Sequence, residues 1–293
     1  GPALPAGGMS AVSNAIAKAA RDAGAELVTG APVSRILVEN GRVTGVETED
    51  GERHESYTVL SSVDPKQTVL SLVGARHFEA GFVRRVGYLR AVGTAAKLHL
   101  ALDGLPTPDG MSADDLGNRL LIAPDPDSVE RAFNPAKYRR FSPAPVMDIS
   151  IPSVHDETLA PAGKHVLSAI VQYAPCDLEG GWTDASKKEF LDICLDRLAE
   201  YLPGIRGCVI EGELLTPADL EREFGMTGGH WHHGELSLDQ FLFTRPLPGC
   251  QQYRAPLDGL YFCGAGAHPG GGVTGVPGYN AARVVIERDT HRS

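Results

Sequence analysis

Gly259-Leu-Tyr-Phe-Cys-Gly-Ala-Gly-Ala-His-Pro-Gly-Gly-Gly-Val-Thr-Gly-Val-Pro-Gly-Tyr-Asn-Ala-Ala282, followed by Arg283-Val-Val-Ile286, reads as a buried strand, a glycine-rich turn and a helix. Leu260, Tyr261, Phe262 and Cys263 form a short apolar run bounded by turn residues, the pattern of a strand covered on both faces. Seven glycines then fall between Gly264 and Gly278. Backbone of that composition can take positive φ, approach a ligand closely and leave its N–H groups uncovered. Thr274 is placed to cap the next helix, and Pro277 is tolerated only in its first turn. A helix N-terminus with unpaired N–H groups attracts an anion or an electron-rich carbonyl. A tight strand-to-helix connection with no ligand would carry the same glycines.

Outward from this stretch, the chain has 293 residues and a formal charge of −10. It is long enough for one large domain or two interleaved ones, each with its own core. The acidic balance argues against nucleic acid or an anionic membrane as partner, since both demand a basic face. No apolar run approaches the roughly 18 residues that span a bilayer. Five cysteines, at 176, 194, 208, 250 and 263, are odd in number and form no CxxC pair. They suit reduced thiols in a cytoplasm rather than a disulfide frame or a zinc cage. The first residues lack the basic and apolar regions of a signal peptide.

In chain order, Val12, Ile16, Ala19, Ala20 and Ala23 recur at helical spacing, with Ser10 as cap and Gly24 as stop. Strands are expected at Ala25–Val28, at Pro32–Val38 turning through Asn40-Gly41 into Arg42–Glu49, and at His54–Ser61. Asp64-Pro65 marks a change of composition, because the residue before proline is pushed out of helix. Beyond it, Leu98, Leu100 and Leu102 alternate with Lys97 and His99 in a half-exposed strand. Val146–Ile151, His165–Tyr173 and Cys208–Leu215 complete a mixed or antiparallel sheet. A short helix is expected around Val129–Phe133. Asp184–Leu202 is the strongest helix, with Phe190, Cys194, Leu198 and Leu202 on one stripe.

Gly228-Gly-His-Trp-His-His-Gly-Glu-Leu-Ser-Leu-Asp-Gln-Phe-Leu-Phe-Thr-Arg-Pro246 is the second informative stretch. His230, His232, His233 and Glu235 are residue types that bind zinc or iron. In an extended segment His230 and His232 would share a face and His233 would point away. The spacing matches no closed site and no second cluster completes it, so no metal is assigned. No Gly-x-Ser-x-Gly elbow or catalytic cysteine motif supports nucleophilic hydrolysis.

These stretches resemble the FAD-dependent oxidoreductases of the phytoene desaturase and amine oxidase superfamily. The likeness runs along nearly the whole chain: a Gly-Gly-Met opening, a Gly-Ala-Glu segment, Pro-Val at the head of a strand, Gly-Gly-x-x-x-His-Gly-Glu-Leu running to Arg-Pro, and the terminal Gly-Ala-Gly. By resemblance, Gly264, Ala265 and Gly266 line the phosphate-ribityl side of FAD, while Gly271, Gly272, Val273 and Thr274 lie beside the flavin ring. The backbone of Val33 meets the adenine. His233 matches a position near flavin and substrate and would orient the substrate. Arg245 would pair an anionic group or a nearby carboxylate, and His268 would shape the pocket beside the ring.

The resemblance implies an α/β, mixed α+β fold: a partial Rossmann-like cofactor domain at residues 1–64 and 249–293, interleaved with a substrate domain of sheet and helices at 65–248. It implies hydride transfer from a small apolar or amine-type substrate to FAD. A complete flavoenzyme of this kind opens with strand, Gly-x-Gly-x-x-Gly and helix. No such unit opens this chain, which is expected to be the C-terminal portion of the family's length and to need an N-terminal FAD-binding half or a second copy beside it. The rivals are a non-catalytic binding module that lost the cofactor and a metal enzyme built on the three histidines.

Overall fold

The computed structural model describes residues 4–290. The chain divides into two compact units, one made of residues up to Leu27 with Gly93–Asp219, the other of Val28–Val92 with the residues from Leu220 onward. The sequence boundaries at 64 and 248 both fall inside the second unit.

The first unit opens with α1 (Met9–Asp22). Gly8 rather than Ser10 is its N-cap, and no side chain caps it. Ala25–Val28 forms no strand: its side chains are all exposed and no strand pairs with it among the described residues. β propensity alone does not make a strand when no ladder partner lies alongside.

The unit's centre is an antiparallel five-stranded sheet. Its members are β5 (Ala95–Asp103), β6 (Leu120–Ile122), β7 (Val146–Ser150), β8 (Lys164–Gln172) and β9 (Val209–Leu215), in the order β6-β7-β8-β5-β9. Leu98, Leu100 and Leu102 are 0–2 % exposed, as the period-two pattern requires, and His99 on the other face is open. The apolar face is covered by α4 (Asp184–Tyr201), whose buried residues Phe190, Cys194 and Leu198 recur every four positions. Phe141, Trp182 and Phe190 close one end of this core, with ring centroids 4.9–5.9 Å apart. Thr183 and Ser186 form a capping box that starts α4. Each fully buried Leu or Phe here contributes about 1.5–3 kcal/mol relative to exposure.

In the second unit, β1 (Val33–Glu39) and β2 (Arg42–Thr48) form a hairpin through Asn40 and Gly41, both at positive φ (48° and 74°), so the two-residue turn matches the strand twist. The expected single strand His54–Ser61 is two. β3 (Arg53–Glu55) pairs with β2, while β4 (Val59–Ser61) pairs in parallel with β10 (Leu260–Phe262). A local turn in which the Ser56 hydroxyl donates to the Thr58 carbonyl and accepts from its amide breaks the run between them. After β4 come a π-helical stretch, Gln67–Gly74, and α2 (Ala80–Gly87).

All three residues of β10 are at most 2 % exposed. Leu260 and Phe262 pack with Ile36, Val43, Val69 and Ala281, the last on α7 (Val276–Thr290). Arg288 fastens α7 to the strand end by donating to the Tyr261 hydroxyl (2.9 Å) and to the Asp258 carboxylate. Gly259, just before β10, has φ 84°, and a Cβ there would lie 2.3 Å from the Tyr57 carbonyl oxygen. Among the described residues no helix is long and apolar enough to cross a membrane.

Candidate functional site

The glycine-rich turn leaves β10 and enters α7 within the second unit. Its first half is packed tightly. A Cβ on Gly264 would lie 2.0 Å from the Ser62 carbonyl oxygen, and one on Gly266 would lie 2.7 Å from Cδ of Pro65. Its second half is open: Gly272, Val273, Thr274 and Gly275 are exposed, with φ of 107°, 59° and 68° at 272, 273 and 275. Gly275 precedes the first helical residue, and the Thr274 hydroxyl accepts from the Val276 amide at 3.3 Å. No side chain but those of Val273 and Thr274 stands on this exposed arc.

Gly270, Gly272 and Gly275 also have literal Gly-x-Gly-x-x-Gly spacing, which the sequence reading passed over. It does not form the dinucleotide fingerprint, where the first glycine follows the strand directly; here β10 ends at Phe262 and other turn residues intervene.

The histidine-rich stretch is folded rather than extended. A 3-10 turn, Thr227–Gly229, is followed by a reversal in which the His233 amide donates to the His230 carbonyl at 2.8 Å. His233 and Gly234 take φ of 57° and 142°. Gly228 is required by close approach, since a Cβ there would fall 1.9 Å from the Ala91 carbonyl oxygen. The reversal brings histidine and glycine turns together: the Cβ position of Gly271 is 3.3 Å from His232 Nδ1, and that of Gly266 is 3.4 Å from His233 Cβ.

The three imidazoles are biased toward the neutral form. Burial pushes His230 down to about 4, with His232 and Arg245 adding to the effect and Glu235 opposing it. Burial lowers His232, helped by Arg245. Burial also lowers His233 against the pull of Asp64, with Arg245 and His232 contributing. The Nδ1 atoms of His230 and His233 are buried and make no hydrogen bond within the protein. Among the described residues no group of three His, Cys, Asp or Glu is arranged to hold a metal ion.

Arg245 is 2 % exposed, and no carboxylate is paired with it among the described residues. Its guanidinium donates to carbonyl oxygens instead. Nε and Nη2 reach Ala265 O at 3.1 and 3.0 Å, and Nη1 reaches Gln240 O at 3.2 Å, Glu235 O at 3.4 Å and Gly234 O at 3.5 Å. Nη2 also meets Gly234 O and His232 O. Burial lowers its pKa, yet a guanidinium keeps its charge in proteins.

His268 sits in the turn with Nδ1 3.0 Å from the Leu242 carbonyl oxygen. Facing a carbonyl, that nitrogen carries the proton, which leaves Nε2 as the acceptor in the neutral ring. Val33, at the head of β1 and paired with Thr48, lies in a different sheet from β10.

Three supports escaped the sequence reading. The buried Asp64 accepts from the Gln67 amide (3.0 Å) and from the Thr227 hydroxyl (2.8 Å). The Gln240 side chain holds both backbone polar groups of Arg90, accepting from Arg90 N at 2.7 Å and donating to Arg90 O at 2.9 Å. Arg90 in turn pairs with Asp239 at 2.7 Å and with Glu235 at 3.0 Å. Apart from the local Asp64–Gln67 contact, these have no local motif, because the partners lie about 145–163 positions away in sequence.

The family model for flavin containing amine oxidoreductases matches residues 1–286, and the chain belongs to that family. Over 291 residues it is 40% identical to mouse (Mus musculus) pyridine nucleotide-disulfide oxidoreductase domain-containing protein 2, covering 96% of this chain and 50% of that protein. It is 28% identical over 279 residues to a phytoene desaturase (lycopene-forming) of Pseudescherichia vulneris, covering 93% of this chain and 53% of that protein. Its fold is similar to the crystal structure of an oxidoreductase from Methanosarcina mazei, with TM-score 0.58 and 22% identity over 97% of this chain and 55% of that one. The chain thus spans about half the length of the curated relatives it matches.

Flavin is the cofactor that membership of this family implies, and the turn fits it. The exposed arc 272–275 carries only the Val273 and Thr274 side chains between Gly272 and Gly275, and its glycines permit the close backbone approach that a large planar ligand and its phosphates require.

Proposed function

We propose that this chain is one portion of an FAD-dependent oxidoreductase that removes a hydride from a substrate carbon, desaturating a C–C bond or oxidising a C–N bond. The observation that carries the reading is the open glycine turn between β10 and α7, exposed from Gly272 to Gly275 with only the Val273 and Thr274 side chains on it, while Ser62 and Pro65 pack against its first half at Gly264 and Gly266. When bound, FAD supplies the electron-accepting chemistry, and the protein supplies binding, orientation and electrostatics.

In this reading Gly264, Ala265 and Gly266 hold the phosphate-ribityl side, Gly271, Gly272, Val273 and Thr274 flank the ring, and the Val33 backbone meets the adenine. Burial biases His233 toward the neutral form, so in this role it orients a substrate by hydrogen bonding rather than by attracting an anion. His268, held by Leu242, fixes the pocket wall. The bias of His230, His232 and His233 toward the neutral form suits a small apolar substrate or a neutral amine. The second unit carries the cofactor and the first carries the substrate sheet.

An N-terminal FAD-binding half, or failing that a second copy of this chain, completes the cofactor domain. Support comes from the parallel sheet, which has only β4 and β10 among the described residues, and from Leu60 and Val63, left 38 % and 37 % exposed beside it. Parallel sheets are ordinarily covered on both faces.

The test is FAD titration of the purified chain, alone and with the N-terminal half of a relative supplied in trans, read by flavin fluorescence and by co-elution in gel filtration. Flavin retained with the partner and weakly or not at all without it is expected. A chain that takes no flavin in either form would be a binding module, and the enzymatic reading would fail.

A further inference from the structure

We infer that Arg245 is a positioning residue that locks the histidine turn and the glycine turn into one rigid surface for the cofactor. The inference rests on the flavin reading above for what the surface binds, and on geometry for the lock itself.

A guanidinium has five N–H donors in a fixed planar fork. Around Arg245 stand five carbonyl oxygens, those of His232, Gly234, Glu235, Gln240 and Ala265. Four belong to the stretch 232–240 and the fifth to the glycine turn. Donors directed at carbonyls on two turns hold both at once, which a lysine ammonium, with three donors at one point, cannot reproduce.

The bond to Ala265 also sets the direction of the next peptide group. A planar trans peptide points its C=O and the following N–H in opposite directions. With the Ala265 carbonyl turned onto Arg245, the Gly266 N–H points away from it. Arg245 therefore fixes which edge of the turn faces inward, and the donor edge is set before any ligand arrives. It does so with a buried positive charge that is paired with no carboxylate among the described residues, and so adds positive potential to the surface it shapes. Such a potential favours phosphate and an electron-rich flavin.

The experiment compares the wild-type chain with Arg245→Met and Arg245→Lys. Hydrogen exchange is followed over 230–236 and 264–272, with the hairpin 33–48 as a control of folding. Both loops are expected to exchange at least about tenfold faster in each variant while the hairpin is unchanged; tenfold corresponds to about 1.4 kcal/mol of local opening. One loop loosening without the other, or neither loosening, overturns the lock. If Arg245→Met does not fold, Arg245→Lys alone decides, because it keeps the charge and the length but not the fork.

FAD affinity and the flavin absorption bands, measured with the N-terminal half supplied in trans, are the second readout. At least about tenfold weaker retention and a shifted band are expected for Arg245→Met, and Arg245→Lys should restore the band position before it restores affinity. Wild-type affinity and spectrum in Arg245→Met would overturn the cofactor part. Should even the wild-type chain take no flavin, the flavin reading fails, while the exchange result still decides whether the two turns are locked.

Discussion

The Asp64 carboxylate accepts from both the hydroxyl and the backbone N–H of Thr227, at 2.8 and 3.3 Å, joining the end of β4 to the start of the histidine turn across 163 positions of sequence. The same carboxylate accepts from the Gln67 amide and so starts the π-helical stretch. One buried group, 3 % exposed, therefore holds the entrances to two segments.

Asp64→Ala should destabilise the protein by about 2–4 kcal/mol, because hydrogen bonds to a charged acceptor are lost and their donors are left inside. Asp64→Asn keeps one acceptor oxygen and should recover part of the loss. Urea unfolding at neutral pH measures both. A loss below about 0.5 kcal/mol for Asp64→Ala would place it among ordinary surface changes and remove its structural role.

The first unit offers a contrast within one sheet. Leu98 is fully buried on β5, whereas Leu121 on β6 is 66 % exposed. Leu98→Ala is expected to cost about 2–5 kcal/mol through lost transfer energy and the cavity left behind. Leu121→Ala should change stability by no more than about 0.5 kcal/mol. Equal effects at the two positions would contradict the assignment of the covered face.

Much of this architecture is legible in sequence where one periodicity meets one burial face. The alternation Leu98-His99-Leu100 and the four-residue recurrence of Phe190, Cys194 and Leu198 each name a face directly, and the structure covers those faces. The extended reading of 230–233 failed for a local reason: positive φ at Gly228, His233 and Gly234 turns the chain back on itself, and a non-glycine residue in that region leaves no compositional trace. Ala25–Val28 failed for the opposite reason, reading as a strand but having no partner among the described residues. At the site, the density of glycine announced an open turn. The environment of Arg245 was hidden, since its partners are carbonyls, which every residue has, and sequence alone favours a carboxylate. The split of His54–Ser61 between two sheets was likewise hidden, because both halves are equally strand-like.

Acid should act through the histidine turn. Burial holds His230 near 4 in the folded protein, below its ordinary value of about 6.5. The unfolded chain then binds the proton more readily than the folded one, and stability is lost as pH falls from about 6.5 toward 4. After allowance for partial solvent access, the loss attributable to this residue is about 1–2 kcal/mol. Urea midpoints at pH 7, 5.5 and 4.5 should decline more in the wild type than in His230→Gln, whose side chain has no proton to gain. Parallel declines in the two proteins would assign the acid sensitivity to other groups.

The exposed arc of the glycine turn gives the sharpest contrast between binding and folding. Gly272 has φ 107° and no neighbour nearer to a Cβ than Thr274 Cγ2 at 3.9 Å, so Gly272→Asp meets backbone strain but no collision. Strain of that kind costs about 1–3 kcal/mol, which a folded domain with a stability in the usual range survives. The new carboxylate would stand at the entrance to α7, where a flavin phosphate or reduced ring brings negative charge of its own. FAD retention, with the N-terminal half supplied in trans, should fall at least about tenfold, against a small fall for Gly272→Ala, which carries the same strain without the charge. Ionic strength separates the two causes: added salt screens repulsion between exposed charges over about 8–10 Å and should recover part of the Asp variant's affinity, leaving the Ala variant where it was. Equal affinities for the two variants at every salt concentration would mean that this arc does not face an anionic ligand, and the cofactor would have to be sought elsewhere on the second unit.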